Sequence, residues 1–266
     1  DFSSINIYLI APINFWFALL QISTMSSTTK PTILLVPGLW EGPTVFAQVS
    51  TLLEYSGYST QTASLPSTGS LSPGNPNMND DILSIRVVIS QLVQSNKEVL
   101  LVLHSAGGFL ASEAMEGLSV KKREEAGLKG GVSGIVFLAA GLARVGDKHV
   151  KRPFMDTINA PKGGMFCINP RESLFNDISD QEAEKWMKRL KTQPAEDWNG
   201  VTQYCGWEDV PSTYLVCEKD ELLPAEVQVQ MAQMAESNIE KCEAGHMVML
   251  SMPKRVVEVI RGVAGG

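Results

Sequence analysis

Basic residues are scarce in this sequence and never massed. The 266-residue chain carries 22 Lys+Arg against 29 Asp+Glu, a formal charge of −7. An acidic chain with no Lys/Arg cluster lacks the electrostatic footprint of a nucleic-acid binder, so no nucleic-acid partner is expected. The one basic run, Lys121-Lys122-Arg123, is followed at once by Glu124-Glu125 and reads as a solvated helix end. Histidine is scarcer still, at three residues, and the four cysteines (Cys167, Cys205, Cys217, Cys242) show no CxxC or other close ligand spacing. Neither a zinc site nor a bound cofactor is therefore expected. Cys217 and Cys242 fall in predicted strands as buried thiols, which fits a reducing compartment, with a disulfide left open by the sequence.

A clear membrane span is also missing. Ile5 to Ile22 is uncharged and mostly apolar, but its 18 residues only reach the lower limit for a span, and Asn6, Pro12 and Asn14 interrupt it. The only charge before it is Asp1, where a signal peptide wants basic residues. Met25, by contrast, is followed by a polar lead and then a strong strand, as an ordinary cytosolic enzyme begins. Residues 1–24 are read as an apolar extension outside the native domain, residues 25–266 as the domain, and the protein as cytoplasmic. A genuine targeting segment at 5–22 would instead make it secreted or membrane-associated. The expected partner is a small-molecule substrate, not a membrane; a homodimer stays open.

What is present is regular alternation. At 44% hydrophobic and 19% charged, with mean hydropathy +0.02, the chain has the profile of one soluble α/β domain. Continuous apolar runs at Ile33–Val36 and Val99–Leu103 read as buried strands, and Ile135–Ala139 and Thr213–Cys217 as the fourth and fifth strands. An alternating strand is expected at Ser59–Leu65 and a weak sixth at Ile239–Glu243. Between them lie helical stripes over Pro43–Tyr55, from an N-cap at Asn79 or Asp80 onward, over Pro224–Glu236 and over Pro253–Val263. Strand–helix alternation predicts a mostly parallel six-stranded sheet flanked by helices. Residues 141–210 break the pattern and contain a helix opened by Ser179-x-x-Glu182. An insertion between the fourth and fifth strands must cover something, so it is read as a helical cap over the sheet's carboxyl end.

Ser105 is the most informative residue. It stands between a buried strand and a helix in Leu103-His104-Ser105-Ala106-Gly107-Gly108. Small neighbours allow the sharp reversal that holds a serine hydroxyl out, and a helix start favours developing negative charge. The competing reading is a structural N-cap serine. An unassisted serine is a poor nucleophile and needs a base held by a carboxylate. His246 follows the last strand where such a base would face Ser105, whereas His149 lies in the basic entry to the cap and reads as exposed. Asp220 follows the fifth strand, with Glu218 and Glu221 as near alternatives and a turn or helix-capping aspartate as the competing reading. The chain order Ser105…Asp220…His246 is far more specific than the turn alone. Trp40, Met165, Trp186, Trp198, Trp207 and Met247 are candidates for an apolar pocket or for ordinary core.

From Pro31 to its end, about nine-tenths of its length, the chain resembles an α/β-hydrolase. It is similar to the small six-stranded branch containing plant hydroxynitrile lyases and methyl esterases, and especially to fungal and bacterial hydrolases of that branch. The matching motifs are Leu35-Val-Pro-Gly-Leu-Trp, Leu65-Pro-Ser-Thr-Gly, Asp81-Ile-Leu-Ser-Ile-Arg86, Val99 to Gly108, Leu174 to Glu184, Cys217 to Pro224 and Gly245-His246. The resemblance implies the α/β-hydrolase fold, Ser105 as nucleophile, His246 as base and Asp220 as its orienter. It also implies an oxyanion hole from the backbone N–H groups of Leu39 and Ala106. Two positions depart from the family: Leu103 stands where Gly is usual, and Pro37-Gly38 where His-Gly is usual.

Three functions follow as expectations. The first is a serine hydrolase of a small carboxylic ester or lactone. A lyase of the hydroxynitrile type is the second, but those relatives place Lys after the base and Thr on the first strand. Here Met247 and Leu34 are read at those positions, without the charge that would stabilise cyanide. The third is a non-catalytic ligand-binding protein on the same fold.

Overall fold

The computed structural model describes residues 30–74, 76–196 and 200–265. The expectations placed on residues 1–24, and on Trp198, lie outside them. Among the described residues no helix is long and apolar enough to cross a membrane.

The chain opens with β1 (Thr32–Val36), α1 (Ala47–Tyr55), β2 (Thr60–Thr62), α2 (Met78–Gln94), β3 (Glu98–His104), α3 (Gly107–Ala114), α4 (Val120–Glu125) and β4 (Gly131–Leu138). The cap follows, with β5 (Met155–Asp156), β6 (Gly164–Cys167), α5 (Pro170–Ser173), α6 (Asp180–Met187) and β7 (Gln193–Pro194). The chain then returns through β8 (Ser212–Cys217), α7 (Ala225–Met234), β9 (Asn238–Cys242), α8 (Val248–Ser251) and α9 (Pro253–Val263).

The six long-range strands form one sheet in the order β2-β1-β3-β4-β8-β9. Every pairing in it is parallel. Its central strands carry the apolar runs because helices cover both faces: all of β1 and β8 is buried, and so is β3 after Glu98. In β9 only Cys242 is buried, which explains its weak pattern as an edge strand. The order reverses at β1, which has β2 on one side and β3 on the other. Right-handed crossovers therefore place α1 and α2 on opposite faces. α9 packs with α1, and α3 with α2. The crevice at the carboxyl ends of β1 and β3 is the switch point, where open α/β sheets bind ligands.

Several local expectations shift. The strand expected over 59–65 pairs only at Thr60–Thr62 before the chain leaves for the Pro-rich loop. α2 starts earlier than Asn79 because Asn77 makes a reciprocal capping box with Asp80. Arg123 is not solvated: its guanidinium turns inward to the carbonyls of Val93, Lys129 and Gly130 at 2.8–3.0 Å, while Lys121 and Lys122 stay exposed. The cap is not purely helical, since β5, β6 and β7 form a small antiparallel sheet. All four cysteines are free and buried, with Cys217 directly opposite Cys242.

Candidate active site

Ser105 leaves the end of β3 with φ 50°, a left-handed conformation that costs a non-glycine residue about 1–2 kcal/mol. The strain is imposed by its surroundings. Its N–H donates to the Leu138 carbonyl, and its own carbonyl accepts from Gly108 and Gly141. Small residues are required by close approach: a Cβ on Gly108 would lie 2.4 Å from the Gly141 oxygen. Gly38 crosses directly over the serine, and a Cβ there would meet Ser105 Cβ at 2.6 Å. The hydroxyl is thus held out at the switch point, half-buried.

His246 Nε2 lies 3.0 Å from Ser105 Oγ, and its Nδ1 lies 2.8 Å from Asp220 Oδ2. Asp220 is buried and its oxygens are otherwise surrounded by donors. Oδ1 accepts from the backbone N–H groups of Leu222 and Leu223, and Oδ2 from Gln228 Nε2 at 3.1 Å. A carboxylate so placed accepts from Nδ1–H and leaves the Nε2 lone pair facing the serine hydroxyl. That arrangement can take a proton from Oγ. The three residues proposed from chain order are therefore brought together. Glu218 instead pairs with Lys241 at the surface, and Glu221 is exposed.

Leu39 and Ala106 flank Ser105 on the β1 loop and at the start of α3. Neither backbone N–H has an acceptor among the described residues, as an oxyanion pocket requires. Leu103 is fully buried in the sheet, so its departure from Gly is absorbed as core packing. Two other readings need correction. His149 is not exposed: its ring stacks on Phe109 at 4.4 Å between centroids and bonds Thr202 Oγ1 at 2.9 Å. Burial lowers its affinity for a proton. Leu34 lies in the middle of β1, fully buried, whereas the residue beside Ser105 Oγ is Gly38, four residues later and just past the end of the strand.

Other residues of the site were not singled out from the sequence. Gln228, wholly buried on α7, bonds both backbone groups of Cys217, Asp220 Oδ2 and the Leu223 carbonyl. Glu41 is buried beneath the β1 loop. The cap also holds the site loops: Trp40 Nε1–H donates to the Met165 carbonyl, and the Lys191 N–H to the Trp40 carbonyl. Asn176 Nδ2 donates to the Lys219 carbonyl, and Asp177 Oδ2 accepts from the Gly245 N–H. Trp40, Met165, Trp207 and Met247 are buried members of the core. Two clefts on the cap side, of about 430 and 620 Å³, contain none of the proposed site residues. Among the described residues no group of three or more His, Cys, Asp or Glu side chains could hold a metal ion.

Residues 33–259 match the family model of the alpha/beta hydrolase family. The chain belongs to that family. Hydrolase chemistry is the activity this membership assigns. This hydrolase is 31% identical over 246 residues to the alpha/beta hydrolase nvfD of Aspergillus novofumigatus, covering 89% of this chain and 97% of that one. It is 29% identical to the probable hydrolase R7 of a Phoma species, covering 89% and 99%. The hydrolase also shares its fold with the methylesterase MES16 of Arabidopsis, at TM-score 0.70 and 20% identity over 89% of this chain and all of that one.

Proposed function

We propose that this hydrolase cleaves a small carboxylic ester or lactone through an acyl-enzyme on Ser105. The observation that carries the reading is the unbroken relay from Asp220 through His246 to a serine hydroxyl held at a helix start. Ser105 Oγ attacks the carbonyl carbon as its proton passes to His246 Nε2, and Asp220 stabilises the imidazolium. The amides of Leu39 and Ala106 receive the oxyanion; one such donor is worth about 10²–10³ in kcat. The leaving alkoxide takes the proton from Nε2 and becomes an alcohol, which departs from an ester and stays tethered to the acyl chain of a lactone. Water then attacks the acyl group with His246 again as base, releasing the acid and restoring the serine. Likeness to the putative methylesterase 19 of Arabidopsis thaliana and to polyneuridine aldehyde esterase supports an ester substrate.

Carbon–carbon lysis of hydroxynitriles is disfavoured by the same geometry. A cyanide anion in an apolar pocket needs a cation, and the residue after the base is the buried Met247. Gly38 beside Ser105 Oγ offers no hydroxyl. Turnover of short aryl or acyl esters is expected, with no cyanide from mandelonitrile or acetone cyanohydrin above the buffer blank. Cyanide release that vanished in Ser105→Ala would overturn the hydrolase reading.

Asp220→Asn is expected to lower kcat by about 10³–10⁴-fold, because the amide cannot hold the same imidazole tautomer. Glu218→Gln and Glu221→Gln should stay near wild type in the same ester assay. A larger loss at Glu218 would move the orienting role to that residue.

A further inference from the structure

Two buried ionisable side chains beside the relay take no part in the acyl transfer: Glu41, 4% exposed, and His104, 1% exposed. His104 ends β3, immediately before Ser105. Its Nε2 lies 2.9 Å from the backbone carbonyl of His246, which can only accept, so Nε2 carries a hydrogen. Its Nδ1 lies 2.7 Å from Glu41 Oε1. The same oxygen accepts the Gly38 N–H at 2.5 Å. A chain of three hydrogen bonds therefore runs from the loop bearing the Leu39 amide, through Glu41 and His104, to the backbone of His246. The two imidazole rings also lie 4.8 Å apart, so the base rests on the His104 ring as well.

We propose that Glu41 and His104 are positioning residues, a buried carboxylate–imidazolium pair that fixes the oxyanion loop and the base relative to each other. The proposal rests on the serine-hydrolase reading above and adds to it the device that sets its geometry. One oxygen serving two donors is the natural role of a carboxylate, and a cation on His104 balances it. Burial opposes protonation of His104. The Glu41 charge, the hydrogen bond to it and the His246 carbonyl outweigh that, and raise the proton affinity above that of an ordinary imidazole. A misplacement of about 1 Å between reacting groups costs about 10²-fold in rate, so a pair that sets this spacing acts on kcat rather than on ground-state binding.

Glutamine at position 41 cannot reproduce the arrangement. With its oxygen on Gly38, it leaves the imidazolium without a counter-charge; with its amide turned to Nδ1, it releases Gly38. Glu41→Gln and His104→Gln are each expected to lower kcat for a short aryl ester by about 10–10²-fold, with KM within about threefold. Phosphonylation of Ser105 by a fluorophosphonate, measured per folded molecule, should slow by the same factor. The double variant should lose no more than the worse single one, since the two act as a unit. Nitrogen-15 spectra of histidine-labelled wild type supply a test that needs no variant: His104 should show two protonated ring nitrogens at neutral pH. Wild-type kcat in both folded single variants, losses that multiply in the double variant, or a singly protonated His104 would each overturn the pair. Failure of the wild type to label at Ser105 would instead overturn the hydrolase reading, and the proposal with it.

Discussion

Ser105→Ala is expected to lower kcat for a short aryl ester by about 10⁶-fold, the scale lost when the nucleophile of a serine hydrolase relay is removed. The fold should survive. The methyl group occupies the same left-handed position, and the native contact surrendered is the 3.0 Å bond to His246 Nε2. A hydrogen bond of that kind contributes about 1 kcal/mol, or about 2–4 °C in Tm for a domain of this size. Rate assays, thermal melts and mass-spectrometric mapping of the fluorophosphonate adduct check the three parts separately. An adduct that persisted on another serine would move the nucleophile elsewhere.

His246→Ala should be nearly as damaging to kcat, again on the order of 10⁶-fold, because an unassisted hydroxyl is left to attack. The structural signature should differ. Removing the ring strips Asp220 Oδ2 of its 2.8 Å partner inside the protein and leaves Gln228 as its remaining side-chain donor. A buried acceptor that loses a partner costs about 1–3 kcal/mol, so this variant should melt below Ser105→Ala. His149→Ala is the matched control. Its ring packs on Phe109 and bonds Thr202, so kcat should stay close to wild type. If the two histidine variants exchanged behaviour, the base would belong to the cap.

The parts of the site that were legible in the sequence are those that strand ends determine. Ser105 and Asp220 each follow a buried apolar run and His246 follows the weak edge strand β9, and the carboxyl edge of a parallel sheet is where such loops converge. What chain order left open was which of three carboxylates faces inward, and packing decides it: Asp220 is pinned by two backbone N–H groups and Gln228, while Glu218 reaches solvent. Glu41 was illegible because a single glutamate in a loop has no pattern that separates a solvated charge from a buried one. Gln228 was hidden for the complementary reason, since a polar residue on an amphipathic helix reads as outward-facing. The placement at Leu34 failed because an apolar strand shows where it ends but not which residue near that end meets the nucleophile; the close approach of Gly38 to Ser105 supplies it. The strands of the cap sheet span two residues (β5, β7) to four (β6), too short for any periodicity to register.

The hydrogen bonds that join Asn176 and Asp177 with the loops of Asp220 and His246, and the main chain at Met165 and Lys191 with Trp40, bear on how this scaffold can be re-engineered. The insertion is not an interchangeable cassette. A block graft from another family member would carry away the tethers that align the reacting groups along with the wall meant to be replaced. Repurposing the scaffold therefore calls for point replacements that spare the Asn176 and Asp177 side chains and keep the backbone course at Met165 and Lys191, whose main-chain groups make the other two bonds, or for transplants that bring equivalent tethers with them.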